Sequence, residues 1–191
     1  MRNEQDWYAG GWQQTFTGKR FFPLDPRIEE ICIEDIAHGL SHGAYRFAGQ
    51  CDDPYTVAQH CCMVSDYCTP WFKLEGLMHD AAEGYLGDLS RPLKHSALMA
   101  AFREIEKRVQ DVINEAFDLP CTPEISSYVK ALDNRAVVTE KLHLFTRQLP
   151  RVTTGGFEPL PVAYITVWGA KQAEEEFLER FYKLQRERIS L

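Results

Sequence analysis

Four side chains in this 191-residue sequence have the chemistry of a metal site: His60 on an inward helix face, Asp133 at the edge of a buried stripe, and His79 and Asp80 together on the polar face of a third helix. Val57, Cys61, Val64 and Cys68 recur at helical spacing, and His60, three after Val57 and four before Val64, shares their face. In LEGLMHDAAEGYLGDLSRPLK, residues 74–94, His79 and Glu83 stand four apart with Asp80 between them, on one face of the helical period. Leu74, Leu77, Met78, Ala81 and Tyr85 form the opposite, apolar stripe. Asp133 lies four after Val129 and four before Val137, where a carboxylate is costly unless paired or metal-bound, and Glu140 shares that side. Taken singly, His60 reads as a satisfied core histidine and Asp133 as a capped carboxylate. Together the two imidazoles and two carboxylates suit one divalent transition metal (Co, Mn, Zn, Fe or Ni) better than Mg. The set has no cysteine, which argues against a closed structural zinc site.

The elements that must position these residues follow from the same periodicity. Ile33, Ile36, Ala37, Leu40, Ala44 and Phe47 predict a helix over 33–47, closed near Gly49. A helix starting at Pro54 or Thr56 ends at Thr69-Pro70, and the helix over 74–85 follows, with Asp88 just past Gly87. The next runs from about Ser96 on a stripe of Phe102, Ile105, Val109, Val112, Ile113 and Ala116. Beyond Pro120 and Pro123, Ile125, Val129, Leu132, Ala136 and Val137 carry a helix over 125–149. Gly155, Gly156, Pro159 and Pro161 make a loop before a last amphipathic helix. The fold class is therefore all-α, a single domain over 1–191 with an irregular lead over 1–30 and a helical core over 33–187.

Composition narrows the function. Hydrophobic residues at 45% and charged residues at 26% describe a globular protein, and the formal charge of −7 argues against a nucleic-acid polymer as partner. No stretch approaches the roughly 18 apolar residues of a membrane span, and the N-terminus lacks a signal-peptide core, so a cytoplasmic protein without a membrane partner is expected. Cys32, Cys51, Cys61, Cys62, Cys68 and Cys121 show no CxxC pair and read as reduced, mostly buried thiols. His38 and His42 also stand four apart, but they face away from the 33–47 stripe and no Glu follows to complete HExxH, so they read as surface residues.

In order, spacing and context, VAQH, GLMHDAAEGYLGDLSRPLK and LDNRAVVTE resemble the HD-domain phosphohydrolases. The resemblance implies an HD-domain helical bundle with His60, His79, Asp80 and Asp133 as ligands between its helices. HDAAEGYLGD is similar to the small nucleotide-hydrolysing branch, the 5′-deoxynucleotidases and dATP triphosphohydrolases of the DatZ type. That likeness implies catalytic roles for Glu83 and Asp88, as base and acid in either order, and the lead-in IEDIAHGLSHGAYRFAGQ, which is similar to the same group's, implies phosphate and base contacts for Arg46 and Phe47. Lys94 and Lys130 are the further candidates for phosphate, although Lys130 equally suits a salt bridge to Asp133 and Arg91 a loop-shaping role. The implied function is a metal-dependent hydrolase of deoxynucleotides, with dNTP triphosphohydrolase or dNMP 5′-nucleotidase chemistry. The alternative is a non-catalytic HD module that binds nucleotide or a protein partner around a structural metal. Family likeness also implies a homo-oligomer, with aromatics near the N-terminus (Trp7, Tyr8, Trp12, Phe16) as interface candidates.

Overall fold

The computed structural model describes residues 11–147 and 154–189. Trp7 and Tyr8, and the expected last residues 148–149 of the 125–149 helix, lie outside them. The described chain is all-α, as its periodicity implies: α1 (Ile33–His38), α2 (Val57–Tyr67), α3 (Lys73–Met78), α4 (Glu83–Leu86), α5 (Arg91–Lys94), α6 (Ala100–Ala116), α7 (Pro123–Leu144) and α8 (Ala170–Ile189). A hairpin of β1 (Gln13–Gln14) and β2 (Arg20–Phe21) precedes them. Among the described residues no helix is long and apolar enough to cross a membrane.

The two helices that carry inward ligands start at side-chain caps. Thr56 accepts the Gln59 amide at 3.1 Å ahead of α2, and Thr122 accepts the Ile125 amide at 3.3 Å ahead of α7, where Pro123 occupies the first turn. The principal core joins Ile36, Leu40, Val57, Cys61, Leu77, Met78, Val109, Ile113 and Phe177. A second cluster of Val64, Val129, Leu132, Ala136 and Leu160 locks α2 to α7. All six cysteines are free, with Cys61, Cys62 and Cys68 buried and Cys121 exposed.

Several boundaries differ from the periodic expectation, each for a tertiary reason. The helix expected over 33–47 stops at His38, widens into a π-turn over Gly39–Gly43 and then becomes extended. Tyr45 bridges to Thr56, the Arg46 amide donates to the Tyr55 carbonyl at 2.8 Å, and the Val57 amide donates to the Ala44 carbonyl at 3.1 Å. Phe47 is therefore not part of a helical stripe. It and Ala48 sit in the left-handed region, at φ 65° and 47°, which costs roughly 1–2 kcal/mol per non-glycine residue.

The helix expected over 74–85 is likewise interrupted between Met78 and Glu83. Gln110 from α6 satisfies the backbone groups released there, donating to the Met78 carbonyl at 2.9 Å and accepting the Ala82 amide at 3.0 Å. Helix α7 ends at Leu144, and Val137 is half-buried rather than core. The N-terminal lead is not peripheral either: Phe21 is fully buried and stacks on Tyr85 of α4 with ring centroids 4.1 Å apart.

Backbone packs directly on backbone where the π-turn meets α4. A Cβ on Gly39 would lie 1.9 Å from the Gly84 carbonyl oxygen, and one on Gly84 would lie 2.9 Å from the Ile36 carbonyl oxygen. Gly39→Ala should therefore cost about 3 kcal/mol or more, at the upper end of overpacking effects. Chemical denaturation checks this, and an unchanged midpoint would contradict the close approach.

Candidate metal centre and adjoining cavity

His60, His79, Asp80 and Asp133 converge from α2, the turn after α3, and α7, with one ligand atom of each within 4.8 Å of all the others. His60 Nε2 lies 3.3 Å from His79 Nε2 and 3.2 Å from Asp133 Oδ1, and His79 Nε2 lies 3.2 Å from Asp80 Oδ2. Bonds of about 2.0–2.2 Å from one ion to nitrogen and oxygen set neighbouring ligands about 3.0–3.5 Å apart, so these separations fit a shared cation. The wider pairs, His60 to Asp80 at 3.7 Å and His79 to Asp133 at 4.0 Å, leave angular room for further ligands.

The remaining ring nitrogens are held so that both Nε2 atoms face the centre. His79 Nδ1 donates to the Gly76 carbonyl at 2.8 Å, and His60 Nδ1 meets Glu140 Oε1 at 2.6 Å. Glu140 is fully buried, seven residues after Asp133 on α7, so one helix face brackets both nitrogens of a single imidazole. Its place on that side is visible in the sequence. Its pairing with His60, eighty residues away, is not.

Burial and the charges in contact set the proton affinities. Burial and Arg46 act to lower the His60 pKa, but Glu140 and Asp133 outweigh them and raise it. Burial acts to raise Asp80 and Asp133; His79 outweighs it at Asp80, as His60 does at Asp133, and both carboxylates lie below their ordinary range. Glu83 moves the other way: burial and the neighbouring Asp80 push it up to about 8, against the pull of Lys94. Burial also raises Asp88, although Arg46 opposes it.

Asp80 and Asp133 line a cavity of about 460 Å³, a volume suited to a small organic ligand. Arg46, Phe47, Glu83, Asp88, Lys94 and Lys130, the candidate catalytic and binding residues, all line it, and so do Gln50 and Lys141, which the sequence did not single out, and Val137, which its spacing had placed in the apolar stripe. Their partners divide them. Arg46 is a buried cation between Asp80, at 3.6 Å, and Glu140, at 3.4 Å. Lys94 is shared by Glu83 at 2.9 Å and Glu106 at 2.6 Å, so its charge is already engaged by carboxylates, and Lys130 bonds Asp133 Oδ2 at 2.5 Å. Arg91 also lines the cavity and donates to Asn134 of α7 at 3.3 Å. Glu83 keeps Oε2 buried without a hydrogen-bond partner among the described residues, one oxygen short of full satisfaction.

Similarity to known proteins can be set beside this geometry. No family model matches the chain. It is 38% identical over 131 residues to the Escherichia coli K12 protein YfdR, covering 69% of this chain and 71% of that protein. The chain belongs to the YfdR family. A second similar protein, RCAP_rcc00048 of Rhodobacter capsulatus, is 36% identical over 133 residues, covering 64% of this chain and 67% of the relative. Both relatives are described as uncharacterized, and neither name carries an activity.

Within this YfdR-family site, Glu140→Gln keeps the shape of the His60 partner and removes its charge. Divalent-metal affinity measured by calorimetry should fall about 10–100-fold, the usual effect of losing the carboxylate behind a ligating histidine. An unchanged affinity would leave Glu140 as Arg46's counter-ion alone. Glu83 carries a pH signature. Its folded pKa exceeds the unfolded one, so the stability from its protonation is complete below about 4.5 and is lost as pH rises through about 8. In metal-free thermal melts across that window, Glu83→Gln should gain on the wild type as pH rises, by about 2–4 °C per kcal/mol in a chain of this size. A difference that shrinks with pH contradicts a raised Glu83.

Proposed function

We propose that this protein is a metal-dependent phosphohydrolase acting on deoxynucleotides. The observation that carries the reading is that Asp80 and Asp133, two of the four clustered side chains, line one cavity with Glu83, Asp88, Arg46 and Lys130. The resemblance of His60, His79, Asp80 and Asp133 to the ligand pattern of HD-domain phosphohydrolases supports it. These four residues would hold one divalent transition metal, whose chemistry is to polarise a phosphoryl oxygen and make water a stronger nucleophile.

The protein's own groups have distinct parts. Glu83 Oε2, buried and unpaired, accepts a proton from the attacking water, and Lys94 fixes the other carboxylate oxygen. With a cation held beside Asp80, the ionised form of Glu83 would be favoured, against the rise that burial and Asp80 give it. Asp88, whose proton affinity burial raises, donates to the leaving oxygen. Arg46 faces the cavity from between Asp80 and Glu140 and complements phosphate charge, as does Lys130 at its more exposed edge. Phe47, held in its left-handed conformation and packed edge-on against Phe145, offers an aromatic wall to the base.

The test is to load the purified protein with Co, Mn or Zn, incubate it with each dNMP, dNTP and ribonucleotide counterpart, and resolve phosphate, pyrophosphate and triphosphate. Deoxynucleotide turnover should depend on metal, and Glu83→Gln should lower kcat by a factor of about 100 or more while retaining metal. Stoichiometric metal with no turnover on any nucleotide overturns the enzymatic reading in favour of a non-catalytic module with a structural metal.

A further inference from the structure

We propose that His38, His42 and Glu174 form a second transition-metal site, separate from the cluster of His60, His79, Asp80 and Asp133. The two sets share no residue, and in each one ligand atom per side chain lies within 4.8 Å of the others. His38 Nδ1 is 3.4 Å from Glu174 Oε1 and His42 Nε2 is 3.0 Å from Glu174 Oε2, inside the spacing of about 3.0–3.5 Å expected between neighbours on one ion. Two imidazoles and one carboxylate select Zn, Co, Ni or Cu over the harder Mg or Ca. With side-chain exposures of 29%, 38% and 19%, the three residues lie at an accessible margin where water completes the coordination.

Local structure holds these ligands in place before any ion arrives. The π-turn over Gly39–Gly43 brings the two histidine rings face to face, with centroids 4.2 Å apart and planes 14° apart. Phe16 stacks on His38 at 3.7 Å and 8°, so that ring is restrained by its neighbours as well as by its own rotamer. Glu174 comes from α8, which the core fixes through Ala173 and Phe177 on either side of it in sequence. An ion held here would tie α8 to the turn whose Gly39 packs on Gly84, the residue next to Glu83 in sequence. Protons shared between the rings and the carboxylate would satisfy the same three side chains without an ion, and the experiment separates the two cases.

The experiment uses the full chain, metal-free and reduced, with Cys121→Ser to remove its exposed thiol. Cobalt is titrated by calorimetry and visible absorption, with bound metal counted after dialysis. The parent should take up close to two equivalents. His42→Ala and Glu174→Gln should each take up about one, and Asp80→Ala should retain about one, with an absorption spectrum different from that of the His42→Ala protein. Zinc should raise the melting temperature of Asp80→Ala but not of Asp80→Ala combined with His42→Ala, because binding to the native state alone shifts unfolding by mass action. Equal metal uptake by the parent, His42→Ala and Glu174→Gln overturns the second site, and does so whether or not the protein hydrolyses nucleotides. If Asp80→Ala does not fold, the comparison of the parent with Glu174→Gln decides the matter alone.

Discussion

A fully buried imidazole held between two carboxylates of one helix is the constraint on which the site depends. Asp133 and Glu140 can reach the two nitrogens of His60 only if α7 runs alongside α2 in one register, and the apolar contacts of Val64 with Val129, Leu132 and Ala136 set that register. Leaving any member of such a group unpaired would strand a charge in low dielectric, at a cost of about 3–5 kcal/mol. Arg46 prevents this for Glu140 and Asp80 at once. Its own position comes from the backbone bridge that pins Tyr45 to Thr56, immediately before α2 begins.

Charge also links the structure to its chemistry. Asp80, Asp133 and Glu140 together carry one more charge than Arg46 and Lys130 neutralise, and a divalent ion would change the sign of that remainder. With such an ion bound, the centre would be locally positive inside a protein of formal charge −7. Glu83 lies beside this centre in the opposite condition, short of one partner and raised by burial. Groups whose environments push their proton affinities apart are the ones suited to moving protons.

The backbone bears strain where it borders this site. Phe47 and Ala48 in the left-handed region stand beside the cavity that Phe47 lines, while the π-turn after α1 and the break between α3 and α4 are further departures from regular helix. Each departure is supported from elsewhere in the chain: the bridge to Thr56, the contact of Gly39 with Gly84, and the amide of Gln110. Local geometry that a continuous helix would forbid is retained because tertiary contacts over-determine it.

Periodicity alone determined the all-α class and the inward aim of His60 and Asp133, because a residue's place on a helix face depends only on spacing within that helix; that α2 and α7 start at the threonine caps Thr56 and Thr122 is seen only in the structure. Periodicity also marked His79, Asp80 and Glu83 as neighbours, since three residues within one turn stay close even when the helix is interrupted there. Tertiary structure alone decided the rest. Phe47 left its apparent stripe because the segment over 44–46 gains more by hydrogen bonding to 55–57 than by continuing α1. Lys94 met Glu106 as well as Glu83, and His38 and His42 met Glu174 from the far end of the chain. The physical reason is range: helical spacing acts over a few residues, whereas an ion pair or a shared ligand set across more than a hundred positions exists only once the core has chosen which helices touch.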